Sequence, residues 1–270
     1  KRTMAVFHIT MFSNALHRLT EMTAIVPVEI NEGASAGQCP QPEGPMKTVM
    51  LLHGFSGTHS DWLFGSRIQQ LAMKYHIAVL CPIGENAFYV DDTKRDALYE
   101  RYLCEVLTFS RKVFPLSGKT EDTVIGGLSM GGYGALRNGL RHPELFGGII
   151  ALSSALITDE LAQQPKHQGN MMASADYYEH VFGKPSEILG SDCDVKYLAR
   201  QAQSGAYAVP EIFMACGTED FLLAANDDFS AYLDSIGVRH TYIKNPGIHD
   251  WAFWDAHIEI ALEQFFGGAQ

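Results

Sequence analysis

The sequence predicts an α/β domain in which helices cover both faces of a mainly parallel β-sheet. Two observations carry this. Short, continuous apolar runs recur along the chain, as expected of strands buried on both faces. Helix-patterned segments separate them, and strands alternating with helices imply parallel pairing. The chain has 270 residues, a length that suits one large domain. It is 46% hydrophobic and 19% charged, enough apolar material for a sizeable core and far from a disordered composition.

The elements follow in order. Residues 4–12 and 20–30 are β-rich and joined by polar residues, so they are expected to form a hairpin or meander. The leading KRTMAVFHITMF is too short and too polar for a signal-peptide core and is read as strand. Residues 31–46 are rich in proline and glycine and are read as a loop, and KTVMLLH at 47–53 as a buried strand. Asp61 to Tyr75 is expected to be a helix, with Ser60 or Asp61 as N-cap. IAVLCP at 77–82 is the next strand. Leu98, Tyr102, Val106, Phe109 and Val113 then recur at helical spacing before Pro115. Thr123 to Leu128 is a strand running into a glycine-rich helix that ends near His142 and Pro143. GGIIALS at 147–153 and EIFMACG at 211–217 are strands, and a helix marked by Leu222, Phe229, Leu233 and Ile236 follows the second. HTYIK at 240–244 is the last strand, and Trp254, Ile258, Leu262 and Phe265 mark the closing helix. Residues 154–209 are too long for a crossover and are read as a cap-like insertion over one edge of the sheet, within a single domain spanning 1–270.

Charge and cysteine content narrow the function. The net charge is -11, and no run of Lys and Arg offers a basic face, which argues against nucleic acid or an anionic membrane as partner. No stretch approaches the ~20 apolar residues of a membrane span. The five cysteines, Cys39, Cys81, Cys104, Cys193 and Cys216, form no CxxC pair and no metal-ligand spacing. Free thiols in a reducing cytoplasm are the expectation, with no metal and no cofactor.

The chemistry concentrates in VIGGLSMGGYGAL, residues 124–136. Gly127-Leu128-Ser129-Met130-Gly131 fits G-x-S-x-G between a predicted strand and a predicted helix, the context of a nucleophile elbow. Such a turn strains the serine and lifts its hydroxyl above the sheet. A serine needs a base, and the base an orienting carboxylate, in the chain order Ser, Asp or Glu, His. Of the six histidines after Ser129, only His249 lies in a loop between the last strand and the last helix. CGTEDF, directly after the preceding strand, offers Glu219 and Asp220; Asp220 is preferred and Glu219 is the fallback. The backbone N–H of Met130 is the first expected oxyanion donor. The second comes from LLHGFSG at 51–57, where Gly54 allows close approach to substrate and Phe55 supplies its N–H. His53 is read as a structural hydrogen-bonding residue of that loop. Trp62, Phe88, Tyr89, Phe221 and Trp251 fall on loops at strand ends and are candidate pocket walls, with loop packing as the alternative for about half of them. Leu156 and Ile157, at the start of the insertion, are expected to close the acyl pocket at short range.

GLSMGGYGAL, LLHGFSGTHSDWL, CGTEDF and NPGIHDWAFW, in this order, resemble the motifs of the esterase D branch of the α/β hydrolases. That branch includes S-formylglutathione hydrolases, tributyrin esterases and acetylesterases, feruloyl esterases and mycolyltransferases. The resemblance runs from about residue 5 to residue 266 and is closest to small bacterial tributyrin esterases and acetylesterases; NAFYVDD at 86–92 is similar to their stretch at this place. Where S-formylglutathione hydrolases favour a histidine after the elbow, this chain has Tyr133. The resemblance implies the α/β-hydrolase fold and a metal-free serine carboxylesterase acting on short-chain acyl esters, acetyl to butyryl, on sugars or aromatic alcohols. Feruloyl esterase, S-formylglutathione hydrolase and acyltransferase are the alternatives. A small-molecule ester is the expected partner, and a homo-oligomer is left open.

Overall fold

The computed structural model describes residues 2–29 and 44–268. Most of the proline-rich segment read as a loop, and Cys39 with it, lies outside the described residues. An eight-stranded sheet forms the centre. β1 (Arg2–Ser13) and β2 (Arg18–Glu29) are the expected antiparallel hairpin, and β2 runs antiparallel to β4 (Ile77–Pro82). From β4 onward every neighbour is parallel: β3 (Lys47–Leu52), β7 (Thr123–Leu128), β8 (Gly148–Leu152), β9 (Glu211–Gly217) and β10 (His240–Asn245). β4, β7 and β8 are buried at every residue, which explains why their sequences are unbroken apolar runs without alternation. β5 (Asp91–Asp92) and β6 (Ala97–Leu98) form a separate two-residue ladder that is too short to leave a periodic signal.

The core is double, one layer on each face of the sheet. One layer is packed by α1 (Asp61–Gly65), α2 (Ile68–Tyr75) and α10 (Trp251–Phe266). The other is packed by α3 (Tyr99–Val113), α4 (Met130–Arg141) and the helices after β8, including α9 (Leu223–Ser235).

Three expectations are corrected. The helix expected over 61–75 is two helices, because Ser66 is extended (φ -141°, ψ 172°) and its hydroxyl donates to Trp62 O at 2.6 Å, while Arg67 N–H is taken by Asp255. The buried face of α3 is Tyr99, Tyr102, Leu103, Val106 and Leu107; Leu98 flanks the helix and Val113 is exposed. The insertion does not lie over a sheet edge. It comprises α5 (Thr158–Ala162), α6 (Ala175–Phe182), α7 (Pro185–Ile188) and α8 (Val195–Ser204), and α8 packs on α4 and α9 above the interior strands. Tyr133 on α4 donates to Cys193 O at 2.8 Å. The fully buried Arg137 guanidinium binds Asp192 at 2.5 Å and Glu100 of α3 at 2.7 Å. These contacts fasten the insertion to the helix that follows Ser129.

Candidate active site

Ser129 occupies the one-residue turn between β7 and α4, with φ 53° and ψ -118°. This backbone region is costly for a side chain, by roughly 1–3 kcal/mol. The conformation is held from both sides: Ser129 N–H donates to Leu152 O at 2.9 Å, and its carbonyl accepts from Ala155 N–H at 2.9 Å. The flanking glycines are required by contact. A Cβ on Gly127 would run into the Gly131 carbonyl, and a Cβ on Gly131 would run into the carbonyls of Leu52 and His53. Strand, turn and helix thus pass closer together than any side chain would permit.

Asp220 and His249 meet across two loops. The turn after β9 places Asp220 through its N–H to Gly217 O at 3.1 Å, and the loop after β10 supplies His249. His249 Nδ1 lies 2.8 Å from Asp220 Oδ2. Burial raises the Asp220 carboxyl, but the hydrogen bonds from His249, Leu222 N–H and Ser153 outweigh it and hold it below the usual range. A carboxylate is the form that fixes the imidazole with its proton on Nδ1, leaving Nε2 to accept. The His249 ring is gripped between Phe221, at 4.7 Å, and the edge of Trp254, at 4.9 Å. Glu219 does not face the histidine: its carboxylate accepts from Gly247 N–H at 2.6 Å and so pins the loop that carries His249.

Ser129 and His249 open onto one cavity of about 670 Å³, together with Gly54, Phe55 and Met130. No hydrogen bond joins Ser129 Oγ to His249 among the described residues. Bonds of this kind commonly close only in the substrate complex. The N–H groups of Phe55 and Met130 have no acceptor among the described residues. His53 fixes the loop that carries Phe55. Its Nδ1–H donates to Gly54 O at 2.7 Å, and its Nε2 accepts from Gly84 N–H at 2.8 Å. Burial lowers its pKa, which favours the neutral ring these two bonds demand.

Phe88, Phe221 and Trp251 line the cavity as expected from the sequence. Three expected wall residues do not. Trp62 is fully buried one layer behind Trp251, with its indole N–H on Leu52 O at 3.1 Å. Tyr89 is fully buried and donates its hydroxyl to His53 O at 3.1 Å, so it braces the Phe55 loop from below. Leu156 turns into the core, and its neighbours Ala155 and Ile157 face the cavity. Sequence reasoning missed Asp61, Glu160, Asn170, Met172, Tyr178 and Trp254, which also line it. It also missed Ser153. This residue sits at the end of β8 with φ 44°, bonds Asp220 and accepts from Trp254 Nε1–H at 3.1 Å.

The comparisons with known proteins agree with this geometry. Residues 37–265 match the model of the esterase family, described as "Putative esterase". An acetyl esterase of Caldicellulosiruptor saccharolyticus is 43% identical over 261 residues, covering 96% of this chain and 97% of the relative. The structure is similar to that of FphF, a fluorophosphonate-binding serine hydrolase of Staphylococcus aureus, with a TM-score of 0.84 at 28% identity, covering 97% of this chain and 98% of that one. It is also similar to the S-formylglutathione hydrolase FrmB of Staphylococcus aureus, with a TM-score of 0.82 at 28% identity over 98% of this chain and 99% of that one. With the family model spanning most of its length, the chain belongs to the esterase family and is a serine carboxylesterase of the α/β-hydrolase fold.

Proposed function

We propose that the protein hydrolyses short-chain acyl esters, acetyl to butyryl, through an acyl-enzyme on Ser129. The observation that carries the reading is the Asp220–His249 hydrogen bond beside a cavity that also holds a strained serine and two free backbone donors. In the first half-reaction His249 Nε2 takes the Ser129 proton as Oγ bonds to the ester carbonyl carbon. The carbonyl oxygen becomes an oxyanion and turns to the N–H groups of Phe55 and Met130. The ester C–O bond then breaks, and the departing alkoxide receives the proton from His249. In the second half-reaction a water gives its proton to His249, attacks the same carbon and releases the acid, returning the proton to Ser129. Asp220 stays ionised throughout and stabilises the imidazolium.

Two observations support the short acyl range. Ala155 and Ile157 wall the cavity beside the elbow, and the cavity must hold the alcohol portion as well as the acyl chain. The similarity to an acetyl esterase points the same way. Four cysteines among the described residues, Cys81, Cys104, Cys193 and Cys216, are free thiols, which supports a reducing, cytoplasmic setting. No described helix is long and apolar enough to cross a membrane. The test is a panel of p-nitrophenyl esters from acetate to palmitate. Activity is expected to peak at short chains, because each additional methylene would need about 0.8 kcal/mol of apolar burial to be held. A kcat/KM that climbs steadily to decanoate would overturn the short-chain assignment.

A further inference from the structure

The cavity beside Ser129 is lined by two carboxyl groups, Asp61 and Glu160, and by no lysine or arginine. The two approach from different parts of the fold. Asp61 begins α1, next to the Phe55 loop, and Glu160 stands on α5 of the insertion. Neither forms an ion pair among the described residues; the titratable neighbours of Asp61 are the His53 and His59 rings. Between them the walls are aromatic, with Phe55, Phe221, Trp251 and Trp254 facing the same space. Carboxylates beside aromatic faces attract an ammonium group and repel a carboxylate. The whole chain carries a net charge of -11, a background of the same sign as the local one.

We infer that Asp61 and Glu160 act as a charge filter, admitting neutral and cationic esters and excluding esters with an anionic group near the scissile bond. The inference rests on the ester-hydrolase reading above and extends it to substrate class. Its consequence is that acyl derivatives of carboxylate-bearing alcohols and thiols are poor substrates, whereas polyol and amino-alcohol esters are good ones. Burial raises the Asp61 carboxyl, with His53 and His59 pulling the other way, so its charge is lost at a higher pH than that of an exposed aspartate.

The experiment compares three acetyl esters by pH-stat at neutral pH: acetylcholine, its neutral isostere dimethylbutyl acetate, and acetoxyacetate. The anionic ester is expected to fall below the neutral one in kcat/KM by on the order of tenfold to a hundredfold, and the cationic ester to equal or exceed it. The spread should narrow as salt is raised, because partly open charges are screened. Asp61→Asn and Glu160→Gln should each raise the anion-to-neutral ratio and lower the cation-to-neutral ratio by several-fold. Asp234→Asn, which removes a charge from the exposed surface, should change neither. Equal kcat/KM for the three esters in the unaltered protein, or a ratio indifferent to salt, would overturn the filter while leaving ester hydrolysis standing. Failure to hydrolyse all three, the neutral ester included, would overturn the ester reading and the filter together.

Discussion

Asp220 and His249 stand 29 positions apart in the chain and 2.8 Å apart in space, a fully shielded carboxylate against a partly open imidazole. The arrangement is directional. The carboxylate takes Nδ1, which leaves Nε2 as the free nitrogen of a ring that lines the same cavity as Ser129.

Replacing Ser129 by alanine should abolish ester hydrolysis, with a loss on the order of a million-fold in kcat. The circular dichroism spectrum should be unchanged, because alanine keeps the turn and loses one oxygen. Covalent labelling by a fluorophosphonate probe should disappear with the activity. A folded Ser129→Ala protein that still turns over ester or takes the label would move the nucleophile elsewhere.

The two acidic candidates of the CGTEDF turn should separate cleanly. Asp220→Asn should lower kcat by roughly ten-thousand-fold, because an amide stabilises the wrong imidazole tautomer. Glu219→Gln should cost no more than about tenfold, through a looser grip on Gly247 N–H. Steady-state kinetics on p-nitrophenyl acetate decides, and a reversed order would make Glu219 the orienting acid.

His53→Ala should lower kcat by roughly a hundred- to a thousand-fold, the usual cost of a misplaced oxyanion donor. KM should change little, since ground-state contacts are kept. The ring's hydrogen bonds go only to backbone, at Gly54 O and Gly84 N, so the pH dependence of the residual activity should match that of the parent. A shifted pH profile would instead give His53 a place in proton transfer.

Stability should follow pH through the cluster of Glu100, Arg137, Arg141 and His142. Burial works against ionisation of Glu100, but His142, Arg137 and Arg141 together hold its carboxyl far below the usual range. Its contribution is therefore full above the unfolded carboxylate pKa and declines progressively as pH falls from there toward the much lower folded value. The hydrogen bond to Glu100 raises His142, so its contribution is full below about pH 6.5 and fades as pH rises through the higher folded value. His142→Gln should consequently lower Tm at pH 5.5 and scarcely at pH 9. A hydrogen bond between charged groups contributes about 2 kcal/mol. An equal loss of Tm at both pH values would show that the imidazole acts without its charge.

Much of the fold was legible because its strands are buried on both faces and its breakpoints are glycines and prolines. β7 and β9 begin and end where the apolar runs do. Ser129, Asp220 and His249 were legible because a nucleophile elbow and two post-strand loops have fixed places in a parallel sheet. The walls of the cavity were less so. Trp62, on α1 and not on a loop, and Tyr89, in the turn after β4, each point inward to satisfy a backbone carbonyl, at Leu52 and His53. Sequence spacing around a strand end does not encode that direction. Asn170, Met172 and Tyr178 reach the cavity only because the insertion folds back over α4, a tertiary event without local periodicity.

Ser129 and Ser153 end adjacent strands, and both hold positive φ, at 53° and 44°. Neither conformation persists in a free chain; each exists only while β7, β8 and β9 are in register around it. Ester turnover is thus a sensor of completed assembly. In a refolding experiment the enzymatic signal should return no earlier than near-ultraviolet aromatic packing, however quickly helical content recovers. The same coupling makes turnover a stringent screen for variants of distant core residues, since a sheet that relaxes by a fraction of an ångström releases the serine before it releases the fold.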